Sequence, residues 1–318
     1  VGEPALIVEG STSPHSFTLK PSHAKLLEEA DIIFWVGESI ETFMERPLES
    51  IVKNAEVVEF MEVESINKLK FREESIFDDH DDHGHDDHDD HDDHDDHDDH
   101  DDHDDHDDHD DHDDHDDHDD HDDHDDHDDH DDHDDHDDHD DHGHAHGEFD
   151  AHIWLDPMNA KEMVHEIAHE LGDLDPANKN KYEANAQATI QALDQLVNDI
   201  EKGINKDAKF VVFHDAYQYF EERFGVRAAG ALTLNTDVLP GAKQIADIQD
   251  VIKDRGIKCI FSEPQFNPKI ITTIAEDMNI KTGVFDPLGA NIDSNKDLYF
   301  KLIQNLEMNL KVVRNIFF

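Results

Sequence analysis

DPANKNKYEANAQATIQALDQLVNDIEKGI, residues 175–204, is the stretch that decides the architecture of this chain. Alanine, isoleucine and leucine recur in it at helical spacing, and no Gly or Pro interrupts the pattern between residues 177 and 202. The pattern predicts one long helix, which would connect the part of the chain before it to the part after it.

On both sides of this helix, short apolar runs that indicate strands alternate with stretches that favour helices. Before it stand PALIVEG, DIIFWVG and AEVVEFM, and after it stand KFVVFHD, VRAAGAL, KCIFSEP and KTGVFDP. This alternation is typical of α/β proteins. We therefore expect two α/β lobes joined by a long, rigid backbone helix: a first lobe at 1–176, the helix at 177–204 and a second lobe at 205–318.

Residues 78–146 form a low-complexity insertion in the first lobe, with nineteen consecutive Asp-Asp-His triplets at 86–142. This tract contains 42 of the 84 acidic residues, 24 of the 30 histidines and no Lys or Arg. Outside it, the other 42 acids oppose 25 basic residues, so the net charge of −59 shrinks to −17. No basic patch is available to neutralise phosphates, which argues against a nucleic-acid partner.

The tract offers no apolar side chains to bury, so nothing offsets the conformational entropy of ordering it, and we expect a disordered loop. Its imidazoles and carboxylates are suitable zinc ligands, but a flexible chain favours many weak, interchangeable sites over one tight site. Two interpretations stay open: an auxiliary metal trap, or an idle solvated insertion produced by repeat expansion.

Three single histidines in the folded parts are better candidates for a tight site. His15 follows the first apolar run, His152 lies in DAHIWLDP beside a predicted strand, and His214 ends the strand of FVVFHD. Open α/β sheets present ligand-binding groups at such strand ends. Taken singly, a histidine near a strand end is more often an ordinary hydrogen-bonded residue of the surface or core.

A rival motif lies on the helix predicted from about Pro157 to Leu171. Its sequence HEIAH has the form H-E-x-x-H, which in metalloproteases places two zinc ligands and a general base on one helix face. A zinc hydrolase using His165, Glu166 and His169 is therefore an alternative function, although no third ligand is evident from the sequence.

Several motifs together closely resemble those of the zinc-binding substrate-binding proteins of ABC transporters, the ZnuA family. They occur in the family's order and cover essentially all of the chain outside the tract: SPHSFTLKPSHAKLLEEADIIFWVG, HIWLDP, FVVFHDAYQYFEERFGV, FSEPQFNP and GVFDPLGA. Members of this family commonly carry a loop rich in His and Asp at the position of the tract.

The resemblance implies that His15, His152 and His214 are zinc ligands in the cleft between the lobes. Some zinc-binding members have a Glu immediately before the first histidine, but Pro14 stands there. Asp286 matches a carboxylate ligand of the manganese-binding relatives, so the fourth ligand is Asp286 or a water molecule; alternatively, Asp286 only accepts a hydrogen bond near the site. Glu263 either shapes a turn or orients a ligand histidine.

The function implied by the resemblance is transport and not catalysis. The protein would capture Zn²⁺ with high affinity in the periplasm and deliver it to the membrane permease of an ABC importer, most simply as a monomer. The signal peptide, strand and helix that begin family members are not present here, so the resemblance implies a chain truncated at its start. The competing non-enzymatic function is a low-affinity metal buffer acting through the repeat.

Overall fold

The computed structural model describes residues 2–77, 147–234, 236 and 240–314. Their helices and strands follow one another in α/β order, with short 3₁₀ turns between some of them. The helices are α1 (Pro21–Glu29), α2 (Glu45–Ser50), α3 (Pro157–Leu174), α4 (Lys179–Gly203), α5 (Gln218–Phe224), α6 (Ala242–Asp254), α7 (Lys269–Met278) and α8 (Leu298–Arg314). The strands are β1 (Ile32–Trp35), β2 (Glu56–Glu59), β3 (Phe210–His214), β4 (Ala231–Thr233), β5 (Cys259–Ser262) and β6 (Lys281–Val284).

The strands form two separate parallel sheets. The first sheet pairs β1 with β2, and the second has the order β4-β3-β5-β6. Because both sheets are parallel, helices return the chain from the end of one strand to the start of the next, as the sequence predicted for an α/β fold. The predicted fold class is confirmed.

The predicted long helix is α4, and its apolar face explains its length. Five of its residues are buried at helical spacing: Ala186, Ile190, Leu193, Leu196 and Ile200. A helix stabilised along one face by packing does not depend on propensity alone.

The largest group of buried apolar side chains is shared by the two parts of the fold. It joins Val58 of the first sheet, and Phe60 just after that sheet's second strand, to Phe210 of the second sheet, with Leu193 and Leu196 of α4 in the same cluster. A smaller cluster lies under α6 and α7, and another lies under α1. All described residues outside the tract belong to one compact unit.

Two local predictions differ from the structure. Residues 4–10, the run PALIVEG, form no strand, and most of their side chains are exposed. Ile153–Leu155 form a 3₁₀ turn instead of a strand, because Asp156 and Pro157 begin α3 immediately afterwards. The tract at 78–146 lies outside the described residues, as do the expectations made for it. No helix among the described residues has the length and apolar character needed to cross a membrane.

Candidate metal centre

His214 ends β3, a strand whose five residues are all buried. Val211 and Phe213 pack into the cluster under α6 and α7, whereas Phe210 and Val212 pack into the shared core, because alternate side chains of a strand point to opposite faces. His214 therefore stands at the carboxyl edge of the sheet, where parallel strands present ligand-binding groups. Its side chain is almost completely buried.

His152 lies just before α3 and is held by the local turn. Asp156 begins the helix, and its carboxylate accepts a hydrogen bond from the backbone N–H of Met158. Arg223 of α5 donates two hydrogen bonds to the same carboxylate, over 2.7 and 2.8 Å. This fork fixes the turn that carries His152, and His152 is also buried.

His15 comes from the 3₁₀ turn Pro14–Ser16 that precedes α1, and its side chain is half-buried. Pro14 is buried in the same turn and starts it, since proline fits the first position of a helical turn. His15 is thus the most accessible of the three histidines.

The three histidines meet at their Nε2 atoms. The distance from His152 Nε2 is 3.3 Å to His15 Nε2 and 3.2 Å to His214 Nε2. One ligand atom from each lies within 4.8 Å of the others, and this is the only such group of three or more among the described residues. Tetrahedral zinc with bonds of about 2.0–2.1 Å separates neighbouring nitrogen ligands by roughly 3.3 Å, so the spacing suits one zinc ion.

Two buried carboxylates set the orientation of the inner histidines. His152 Nδ1 lies 2.6 Å from Asp150 Oδ1, and His214 Nδ1 lies 2.8 Å from Glu263 Oε1. A carboxylate accepts a hydrogen bond from Nδ1–H, so each ring keeps a lone pair on Nε2, on the side where the three rings meet. The sequence offered Glu263 for this role as one alternative, but did not indicate Asp150.

The electrostatics of His214 follow from this pairing. Burial lowers the pKa of His214, but the charge and hydrogen bond of Glu263, together with the charges of Asp215 and Asp150, outweigh burial, so the pKa is raised above its usual value. The other oxygens, Asp150 Oδ2 and Glu263 Oε2, are buried without hydrogen-bond partners among the described residues. A centre with this much buried negative charge is well suited to a cation.

Asp286 does not join the group of three. It follows β6, and its Oδ1 accepts hydrogen bonds from the backbone N–H groups of Leu288 and Gly289 and from the side chain of Gln265. It therefore shapes the turn beside the centre. Its role as fourth ligand stays a prediction.

Apolar side chains form much of the wall around the histidines. Trp154 closes one side, and its indole N–H donates to the backbone carbonyl of Pro287 over 2.8 Å. The cavity is lined by Ser13, Pro14, His15, Ile40, His152, Trp154, His214, Glu263, Gln265, Phe266, Pro287 and Leu288. Such walls limit access of water and strengthen interactions between the polar groups inside.

The HEIAH motif lies elsewhere, on α3. His165 and His169 are exposed, and His169 Nδ1 lies 2.9 Å from Glu170 Oε1. In the part of the chain that the structure describes, no third residue joins them in a metal-binding group. The geometry gives the hydrolase alternative no support.

Comparisons with known proteins agree with one another. Residues 1–313 match the family described as ZnuA, "Zinc-uptake complex component A periplasmic". The "High-affinity zinc uptake system protein ZnuA" of Brucella abortus (strain 2308) is 45% identical over 313 residues, 98% of this chain and 85% of that protein. The protein of the same name from Haemophilus influenzae is 38% identical over 302 residues, 94% of this chain and 83% of that protein.

Solved structures show the same fold at lower identity. A crystal structure of ZnuA has a TM-score of 0.65 at 20% identity, covering 98% of this chain and 89% of that one. The periplasmic zinc-binding protein TroA of Treponema pallidum has a TM-score of 0.65 at 17% identity, covering 95% and 87%. The laminin-binding protein Lmb of Streptococcus agalactiae, described as an adhesin with metal-transporting activity, has a TM-score of 0.62 at 21% identity, covering 95% and 89%.

Proposed function

Because the chain belongs to the ZnuA family of periplasmic zinc-uptake components, we propose that it is a high-affinity zinc-binding protein of the periplasm. It captures Zn²⁺ and delivers it to the membrane permease of an ABC importer. The convergence of three imidazole nitrogens carries this proposal, since two of them are 3.2 and 3.3 Å from the third.

The ligand set suits the proposed cargo. Three neutral imidazoles and one oxygen ligand are a common zinc environment, and the absence of a carboxylate from the group of three disfavours harder ions such as manganese. The fourth ligand is proposed to be Asp286 or water. Asp150 and Glu263 hold two of the rings so that binding does not have to order them, which favours tight binding.

The repeat is proposed to serve as an auxiliary zinc trap. Its many weak sites would raise the local zinc concentration without adding a contact at the centre. It would then be dispensable for tight binding, whereas a metal buffer acting through the repeat would lose nearly all binding without it.

A competitive zinc titration against a chromophoric chelator tests the proposed function. The samples are the full chain, a variant with residues 78–146 replaced by a short Gly/Ser linker, His214→Ala, and His165→Ala as an exposed control. We expect the deletion and His165→Ala to keep one tight site and His214→Ala to lose it. If the deletion variant lost tight binding and His214→Ala kept it, the result would support the metal buffer instead.

A further inference from the structure

Residues 69–77, here called the connecting segment, link the two halves of the metal centre. At one end the segment runs beside residues 148–150: Phe71 N–H donates to Glu148 O, and Asp150 N–H donates to Leu69 O. Asp150 is the carboxylate that holds His152. The connecting segment is therefore joined to the backbone that positions the first-lobe ligand.

At its other end, the connecting segment lies along β4 of the second sheet. Ile76 forms an antiparallel bridge with Gly230, and Ala231 N–H donates to Ser75 O over 2.8 Å. Strand β4 in turn pairs with β3, with Thr233 opposite His214. One short segment thus contacts the supports of both buried ligands.

Arg72 lies midway along the segment and makes its strongest side-chain contacts with the second lobe. Its guanidinium donates to Asp215 Oδ1 over 2.9 Å and to Glu221 Oε2 over 2.6 Å. It also lies over the ring of Phe77, 4.0 Å from the centroid. Both carboxylates are almost completely buried, and the Arg72 side chain is only 16% exposed. A forked, buried guanidinium fixes two acceptors at once.

Asp215 follows the ligand His214 directly, and its backbone N–H donates to Thr233 O. A displacement of Asp215 would therefore move the end of β3 that carries His214. Metal sites tolerate displacements of about 0.5 Å before affinity falls. The Arg72 guanidinium restrains this strand end, because it binds Asp215 and is itself held by Glu221 of α5.

We propose that Arg72 is a positioning residue of the zinc centre, which holds the β3 end bearing His214 in register with the segment that supports His152. This inference rests on the proposed function, because it concerns the same centre. Arg72 does not touch the metal; it acts through Asp215 and the connecting segment.

Three full-chain variants test the proposal. Arg72→Met removes the charge, Arg72→Lys keeps a charge that cannot reproduce the fork, and Arg227→Met removes an exposed arginine of the second lobe as a control. Zinc affinity is measured by chelator competition, and the visible spectrum of substoichiometric Co²⁺ reports the coordination geometry. Each variant is also made with His214→Ala. Because this change removes the tight site, the binding that remains measures the contribution of the repeat to zinc binding.

We expect Arg72→Met to weaken zinc binding about 10- to 100-fold, as other residues that support metal ligands do, and to change the Co²⁺ spectrum. Arg72→Lys should fall between it and the wild type, and Arg227→Met should match the wild type. Wild-type affinity and spectrum in Arg72→Met would overturn the proposal. If that variant does not fold, the same result in Arg72→Lys would overturn it.

A further variant separates positioning from the burial of uncompensated charge. Arg72→Met combined with Asp215→Asn and Glu221→Gln leaves no buried carboxylate opposite the lost guanidinium. Affinity and the Co²⁺ spectrum should stay altered if Arg72 positions the centre, and a return of both to wild-type values would contradict that role. The proposed function itself fails if the wild-type protein shows no tight zinc site, or if its tight site is still present in His214→Ala.

Discussion

At the scale of single residues, the centre depends on which nitrogen of each histidine faces the other two. Asp150 and Glu263 decide this by accepting hydrogen bonds from Nδ1. For His152 and His214, these carboxylates keep the Nε2 lone pair on the side where the three rings meet.

Replacement of Glu263 tests this support. Glu263→Ala removes both the acceptor and its charge, and we expect zinc affinity to fall about 10- to 100-fold. Glu263→Gln keeps an acceptor for Nδ1–H and should lose less. Glu276→Ala, at an exposed position of α7, is the control. Equal zinc affinities of Glu263→Ala and the wild type in chelator competition would show that Glu263 does not support the ligand.

Glu41 offers a pH test at a carboxylate that is not part of the group of three histidines. Its Oε2 accepts hydrogen bonds from the backbone N–H groups of Val36 and Gly37. Burial, with a contribution from the charge of Glu59, raises the pKa of Glu41 above 4.5, and the two backbone hydrogen bonds oppose the shift only partly. Its contribution to stability is therefore fully present below pH 4.5 and is lost as the pH rises through the raised pKa.

Glu41→Gln keeps an acceptor for these N–H groups but does not titrate. We expect its free energy of unfolding to increase relative to that of the wild type, so that the variant becomes relatively more stable, as the pH rises from 4.5 through the raised pKa of Glu41. Urea denaturation across this pH range measures the difference, with the exposed Glu45→Gln as control. A difference that stays constant with pH would contradict the assignment.

The sequence made the three histidines candidates because each stands beside an apolar run, and the resemblance to the family implied that they are ligands. Asp150 was missed although it lies only two residues before His152, since it directly follows a stretch full of acids and looks like part of it. Arg72 could not be predicted at all. Its partners are more than one hundred residues away in the chain and meet it only in the folded protein.

At the scale of elements, α4 owes its stability to its buried face. Leu193 is 1% exposed and packs in the shared core. Leu193→Ala should lower the free energy of unfolding by about 2–5 kcal/mol, because it removes buried methyl groups and leaves a cavity. Gln191→Ala, on the exposed side of the same helix, should change it by less than about 0.5 kcal/mol. Denaturant unfolding measures both, and similar losses in the two variants would contradict this packing.

Helices with a clear hydrophobic periodicity could be predicted from the sequence. Whether a short apolar run forms a strand was harder to predict. The run ending at His214 is a strand because both of its faces are covered, whereas the similar run at 4–10 is mostly exposed and forms no strand. Composition alone does not show which faces will be covered. The turn before α3 was likewise decided by Asp156 and Pro157, whose capping role competes with strand formation.

At the scale of the whole molecule, contacts across the centre tie its two sides together. Three side chains donate hydrogen bonds across it: Arg223 to the carboxylate of Asp156, Trp154 to the carbonyl of Pro287, and Gln265 to the carbonyl of Gly10 over 2.8 Å. The sequence predicted two lobes, but it gave no sign that their largest apolar cluster would be continuous. Contacts between residues that are distant in the chain produce no local pattern in the sequence from which they could be predicted.

These contacts predict little movement when zinc binds. In a variant lacking residues 78–146, the radius of gyration from small-angle X-ray scattering should stay the same within error on addition of one equivalent of zinc, because binding to a preorganised site moves the backbone by no more than about 1 Å. His214→Ala in the same background serves as control. A reproducible decrease in the radius of gyration that depends on His214 would indicate closure of a hinge and contradict this expectation.

A crystal structure with one equivalent of zinc, phased with anomalous data at the zinc edge, would show directly whether the three histidines bind the metal. We expect one strong anomalous peak among the Nε2 atoms of His15, His152 and His214, at about 2.0–2.1 Å from each. The same map would show whether Asp286 or water is the fourth ligand. A fully occupied zinc ion bound elsewhere, with these three histidines free of metal, would contradict the central claim.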